Sequence, residues 1–448
     1  MISETTCTVF SVPPSPSVPP WSDASPDIHR TIEAVWRLEA GRVIAALARI
    51  VRDIGVAEDL AQDALVAALQ QWPESGVPDN PGAWLTAAAK HRAIDYLRRG
   101  QMLARKHGEL AYELDSARPD MPDLNAALDD DVGDDMLRLI FTACHPVLSA
   151  EARVALTLRM VGGLSTDEIA RAFLVPEQTM AQRIVRAKKT LAESKVPFEV
   201  PRGEDRRARL ASVLEVVYLV FNEGYAATAG EHWMRAGLCE DALRLARMLA
   251  ALAPGEPEAH GLAALVEIQA SRLRARVGPG GEPVLLKDQN RAQWDQLLIR
   301  RGLAALERVE RLGGAAGPYA LQAAIAACHA RASSLDTTDW LRITALYEML
   351  STVQPSPVVE LNRAVAISRA FGAAAGLAHL DRLEGRSMLK NYHLLPSVRG
   401  DLLEQLGRHD EAREEFERAA ELTRNETERK LLLDRAGKSQ KAEGKSQK

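Results

Sequence analysis

The sequence offers little from which a metal site, a disulfide framework or a catalytic centre could be built. Its four cysteines, Cys7, Cys144, Cys239 and Cys328, are scattered, with no C-x-x-C pair and no Cys/His set at zinc-finger spacing. No nucleophile/base pair, phosphate-binding glycine loop or ligand cluster stands out, so neither an enzyme nor a cofactor is expected. No stretch of about 18 uninterrupted apolar residues occurs, which argues against a membrane-spanning helix. The N-terminus lacks a basic segment followed by an apolar one, which argues against a secretory signal, and a reducing cytoplasm is the expected compartment. An excess of positive charge is missing too. With 56 Lys and Arg against 61 Asp and Glu, the net charge is −5, so any affinity for nucleic acid must reside in local basic patches.

What the chain has is an ordinary globular composition, 46% hydrophobic and 26% charged, spread over 448 residues. That length suits about three domains. Residues 1–27 carry Pro13, Pro14, Pro16, Pro19, Pro20 and Pro26 and read as a disordered leader. Over residues 28–106 the apolar positions recur at helical spacing, broken only from Trp72 to Pro81, where Pro73, Gly76, Pro78 and Pro81 predict a connector. Residues 107–135 read as an acidic linker, since between Glu109 and Asp135 ten acidic residues face the single base Arg118. A second helical unit is expected over 136–197 and an alanine- and leucine-rich helical region over 202–436. The tail, 437–448, repeats Gly-Lys-Ser-Gln-Lys and reads as basic and flexible. Only Val277 to Leu286, with Gly278, Gly280 and Gly281, suits an extended loop, so the expected class is all-α.

The most informative local pattern spans Gly162 to Leu191. Gly162 and Gly163 can end one helix, and Ser165 with Glu168 forms a capping box that starts the next. Ile169, Ala170 and Phe173 give that short helix a buried face, and Pro176 suits the first turn of another. There Met180, Ile184, Ala187 and Leu191 form an apolar stripe. Gln178, Gln182, Arg186 and Lys189 line the opposite face, flanked by Thr179, Arg183 and Lys188. Amides for base edges and cations for phosphates, on a helix preceded by a capped short helix, fit a helix-turn-helix reading the major groove.

Two further surfaces precede it. From Val56 to Gln70, Leu60, Ala61, Ala64, Leu65 and Ala68 make an apolar face, with Glu58, Asp59, Gln62 and Asp63 on the other side. No histidine ligand accompanies these carboxylates, which leaves a solvated face or a docking surface for a basic partner. Downstream, Lys90, Arg92, Arg98 and Arg99, with Arg105 and Lys106 beyond, form the clearest basic patch. Tyr96 and Trp84 are interleaved with it, and Trp84 is expected in the core.

Taken in order, Ala57-Glu58-Asp59-Leu60-Ala61-Gln62-Asp63-Ala64-Leu65, Asn80-Pro81 through Trp84-Leu85, and Ala93-Ile94-Asp95-Tyr96-Leu97-Arg98-Arg99 resemble region 2 of extracytoplasmic-function (ECF) sigma factors. Residues 162–191 resemble their region 4. A longer resemblance, to the group with a helical, TPR-like C-terminal extension, is carried by Leu139 to Pro146, Leu219 to Tyr225, Pro355 to Val365 and Tyr392 to Leu395, and reaches from about residue 28 to 435. It implies two small helical sigma domains joined by the acidic linker and followed by the extension, with core RNA polymerase and promoter DNA as partners. By the same resemblance Asp59, Gln62 and Asp63 dock on the polymerase clamp helices. The connector helps capture an unpaired minus-ten base, and Lys90, Arg92, Arg98 and Arg99 hold the adjoining DNA. Gln178, Thr179, Gln182, Arg183, Arg186 and Lys189 face the minus-thirty-five element, although Ala181 stands where many relatives carry a base. The linker is either a polyanion suited to a nucleic-acid channel or a plain spacer.

In the C-terminal half Gly400, Leu403, Gly407, Ala412, Phe416 and Ala419 fit the small and large positions of a tetratricopeptide hairpin, and Gly237 and Ala242 repeat part of the spacing. Such repeats stack into a surface for a protein partner, and here the extension is expected to tune activity in cis. His232, Trp233, Cys144-His145 and Tyr392-His393 read as packing. Two other classes compete with the sigma reading: a helix-turn-helix regulator with a TPR-like effector domain, and a TPR-like adaptor that kept a nucleic-acid-binding head.

Overall fold

The protein, described by a computed structural model over residues 26–109, 132–226, 234–279, 282–383 and 392–446, is built from α-helices. Among these residues the one β-type contact is an isolated bridge between Val277 and Pro283, inside the segment expected to be extended. The leader up to residue 25, most of the acidic stretch (110–131), and His232 and Trp233 lie outside the described residues.

The first unit is α1 (Pro26–Val51), α2 (Ile54–Ser75) and α3 (Pro81–Glu109). Asp53 starts α2 by accepting the Gly55 and Val56 N–H groups at 2.7 and 3.0 Å. The connector is shorter than expected, because α2 runs on through Pro73 and ends at Gly76 with φ 82°. A proline removes only one intrahelical bond. Burial of Trp72, edge-on to Trp84 with ring centroids 5.3 Å apart, holds the last turn in place. Trp84 itself is half-buried against the core.

The second unit is α4 (Val132–Ala143), α5 (Ala150–Met160), α6 (Thr166–Ala172) and α7 (Glu177–Glu193). Helix α4 begins inside the stretch read as linker, and Asp135 shows why. It is only 3% exposed and pairs with Arg138 at 2.7 Å and with Arg49 of α1 at 3.2 Å. It is a buried anchor between the two units, not a spacer charge.

The extension follows as α8 (Gly203–Tyr225), α9 (Ala236–Leu252), α10 (Pro257–Ala270), α11 (Gln296–Arg311), α12 (Pro318–Arg331), α13 (Trp340–Val353), α14 (Pro357–Phe371), α15 (Ala373–Asp381), α16 (Leu394–Gln405), α17 (His409–Leu422) and α18 (Glu426–Ser446). Its successive helices pack on one another as stacked hairpins. In the α16–α17 hairpin Gly407 makes the turn with φ 75°, and Ala412, Phe416 and Ala419 are fully buried. The tail departs from expectation. Helix α18 runs to Ser446, so most of the repeat region lies within it. Lys, Gln, Ala and Glu are good helix formers, and they outweigh Gly437 and Gly444 at about 1 kcal/mol each.

One buried cluster runs from Ile32 in α1, through α2–α9, to Ala270 in α10. The two units expected as separate small domains therefore share a core with the start of the extension. A second core, from Leu361 to Ala436, lies in α14–α18. Between them, Gly302 of α11 lets that helix approach α10 closely: a Cβ there would lie 2.5 Å from Ile268 Cγ1 and 3.0 Å from the Ala264 carbonyl oxygen. Gly302→Val should therefore destabilise the chain by about 1–3 kcal/mol in denaturant unfolding. Gly237→Ala, in open space in the first turn of α9, should be neutral or slightly stabilising.

Candidate nucleic-acid interface

The short helix α6 begins with both halves of a capping box. Ser165 Oγ accepts the Glu168 N–H at 3.1 Å, and Glu168 Oε2 accepts the Ser165 N–H at 2.8 Å. Leu174, with φ 50°, turns the chain into α7, where Pro176 caps the helix from just outside instead of standing in its first turn. The stripe of Met180, Ile184, Ala187 and Leu191 is buried, so register alone turns Gln178, Thr179, Gln182, Arg186 and Lys189 outward, and all five are exposed. Arg183 is half-buried, near enough to Glu151 to help hold that carboxyl below the usual range, after the backbone and Ser149 hydrogen bonds.

Helix α3 carries the second basic surface. Arg98 and Arg99 are exposed, and Arg99 Nε donates to the Asp95 carbonyl at 3.3 Å. Lys90 and Arg92 are half-buried. Burial, and then the Arg49 guanidinium, lower the Lys90 ammonium below its ordinary pKa. Arg92 donates to the Ala88 carbonyl at 3.0 Å. Tyr96 is exposed beside them.

The acidic face of α2 is the main departure from the sequence reading. Asp63 is exposed and Asp59 is 73% exposed, but Glu58, read as part of the same solvated side, is 2% exposed. Its Oε1 accepts from Arg159 Nε of α5 at 2.7 Å and from the Gln62 side-chain amide, and Lys188 of α7 contacts its Oε2. Lys188 also reaches Asp59 at 3.2 Å. This lysine, read as a flanking member of the outward basic face, instead points at α2. No local signal marks the burial of Glu58, because its partner Arg159 stands 101 residues away in the sequence.

Other contacts join the same two units. Arg37 of α1 pairs with Glu168, whose carboxyl burial raises; the Ser165 N–H and the Arg37 charge outweigh that and leave it below the usual range. Gly163, with φ 71°, sits where α1 passes: a Cβ there would lie 3.0 Å from Arg37 Cα. The extension grips the second unit from another side. Arg209 donates to the Phe141 carbonyl at 3.1 Å, Ser212 to the Cys144 carbonyl at 2.7 Å and Arg244 to the Gly162 carbonyl at 2.7 Å, while Arg153 pairs with Glu215 at 3.1 Å. Cys144 is sealed among these groups, and burial pushes its thiol up to about 12. His145 is half-buried beside it, and Tyr392 and His393 pack near Glu428. Among the described residues no group of His, Cys, Asp and Glu could hold a metal ion, and no helix is long and apolar enough to cross a membrane.

Comparison with known proteins matches three families along the chain: sigma-70 region 2 over residues 36–102, sigma-70 region 4 over 138–191, and a family of unknown function (DUF6596) over 209–310. An uncharacterized protein of Rhizobium meliloti is 45% identical over 389 residues, covering 86% of this chain and 90% of that protein. A probable ECF RNA polymerase sigma factor, SigI, of Mycobacterium tuberculosis is 26% identical over 181 residues, 40% of this chain and 60% of its own length. No solved structure matches the chain.

Because Glu58 is buried between two cations, removing it alone should be costly. Glu58→Ala leaves Arg159 and Lys188, whose side chains are 17% and 19% exposed, without their shared carboxylate. Stability in denaturant unfolding should fall by about 3 kcal/mol, whereas Asp63→Ala, on the exposed side, should change it by less than about 0.5 kcal/mol.

Proposed function

The chain belongs to the ECF-type sigma-70 factors, with a helical C-terminal extension, and is a promoter-recognising sigma factor; from that premise we propose how its surfaces divide the work. Asp59, Gln62 and Asp63 dock on core RNA polymerase. Lys90, Arg92, Arg98 and Arg99 hold the DNA around the minus-ten element, and the connector from Gly76 to Asn80 helps capture an unpaired base. Gln178, Thr179, Gln182, Arg183, Arg186 and Lys189 read the minus-thirty-five element. The extension tunes this activity in cis and offers its stacked helices to a protein partner. No catalytic step belongs to the chain, and it works in the cytoplasm, alongside the polymerase.

The observation that carries this reading is the exposed row Gln178, Gln182, Arg186 and Lys189 on α7, opposite a buried stripe and behind a capped α6. Amides on such a row can pair with base edges, and cations can reach phosphates. The exposed Arg98 and Arg99 add contacts that fix position without reading sequence. The grip of α8 and α9 on the second unit supports tuning in cis, because Glu215 and Arg244 tie the extension directly to the unit that carries the helix-turn-helix.

In vitro transcription from genomic DNA with core polymerase tests the division. Starts that need the chain should fade at least about tenfold with Asp59→Ala/Asp63→Ala. Gln182→Ala should relax upstream discrimination by about 1–3 kcal/mol at one position, and Arg98→Ala should weaken all promoters alike. If no start depends on the chain while it shifts duplex DNA by itself, the helix-turn-helix regulator is the correct reading.

A further inference from the structure

The connection from α10 to α11 runs from Ser271 to Asp295 and carries three short 3-10 turns, Leu273–Arg276, Leu286–Asp288 and Arg291–Gln293. It gathers cations without gathering acids. The guanidinium carbons of Arg272 and Arg291 lie 5.3 and 4.7 Å from the Trp294 ring centre, and that of Arg276 lies 3.4 Å from the Tyr225 ring centre. Among the described residues no carboxylate pairs with Arg272 or Arg291. Burial lowers the Arg272 guanidinium below its ordinary pKa, with Arg276 adding to the effect against Tyr225, and burial followed by the Arg272 charge lowers Arg291.

The three arginines are not equally held. Arg276 is buried, stacked on Tyr225, and donates to the Tyr225 carbonyl at 2.9 Å. Arg272 is held loosely, since its Nε and Nη1 reach the side-chain oxygens of Gln289 and Gln269 at only 3.3 and 3.2 Å. Arg291 Nη1 donates to the His329 and Ala332 carbonyls, but its Nη2 is enclosed without a hydrogen-bond partner, as are Trp294 Nε1 and His329 Nδ1. Burial, then Arg272 and Arg291, push the His329 imidazole down to about 4, so it adds no charge of its own. A cation taken out of water is costly unless an anion or a full set of hydrogen bonds compensates it. Packing accounts for Arg276 and leaves Arg272 and Arg291 short.

We propose that this junction is an oxyanion site, in which the Arg272 and Arg291 guanidiniums, with Arg276 behind them, hold the phosphoryl group of a small soluble ligand. Planar guanidinium forks match the paired oxygens of a phosphate. Both side chains are half-buried beside Trp294, which is 4% exposed, so a compact anion reaches them and the backbone of a stiff duplex does not. The site stands apart from the promoter-reading surfaces and does not depend on their assignment.

Equilibrium dialysis of the full chain with labelled pyrophosphate, at fixed ionic strength in chloride, tests this. One pyrophosphate should bind per chain, saturably, and raise the melting temperature by about 2 °C or more at saturation. Arg272→Gln should weaken binding at least about tenfold while leaving the anion-free melting temperature unchanged or higher, because it relieves repulsion from Arg276 and Arg291. Arg272→Lys keeps the charge and checks folding: its melting temperature should match the wild type, yet its affinity should fall, since an ammonium cannot make the fork's two parallel bonds. Arg300→Ala, at an exposed neighbour on α11, should leave binding unchanged. Absence of saturable binding, undiminished binding in both Arg272 variants, or binding lost with Arg98→Ala or Arg186→Ala instead would overturn the proposal.

Discussion

A single buried carboxylate sets how the first two units meet. Glu58 lies in α2 at 2% exposure, and a carboxylate taken out of water destabilises the fold unless cations and hydrogen bonds compensate it. Nothing on α2 supplies a cation. Arg159 and Lys188 come instead from α5 and α7, so meeting the needs of one side chain fixes the register of one unit on the other. Asp135 repeats the logic between α1 and α4. Around these charges the apolar core is continuous from Ile32 to Ala270, and the positions of α1 through α10 follow from both.

The three parts of the chain are joined by different contacts. The extension holds region 4 through hydrogen bonds from Arg209, Ser212 and Arg244 to main-chain carbonyls, which rigid elements keep in place. Region 2 meets that body through the shared apolar core and through ion pairs whose carboxylates, Glu58 and Asp135, are buried.

Much of the fold and of the exposed polar row on α7 is legible in the sequence, because local rules decide both. The Ser165–Glu168 capping box is complete within four residues, and the apolar spacing of α7 leaves only one face for its glutamines and arginines. Roles set by distant partners are not legible. Glu58 and Asp59 are neighbours with the same chemistry, yet one is buried and the other exposed, and only the position of α5 and α7 separates them. Lys188 sits among basic residues that face outward but turns inward for the same reason. Asp135 ends an acidic run and could be told from its spacer neighbours only by Arg49, far away in sequence. Pro73 misplaced the connector because the burial of Trp72 outweighs one missing hydrogen bond. The glycines of the tail likewise failed to end α18 against a run of good helix formers.

The most direct test is a double-mutant cycle between Glu58 and Arg159, which lie 2.7 Å apart, read by denaturant unfolding of the full chain. The account predicts that the two substitutions are strongly non-additive, with a coupling of about 1 kcal/mol or more. Additive losses would contradict it.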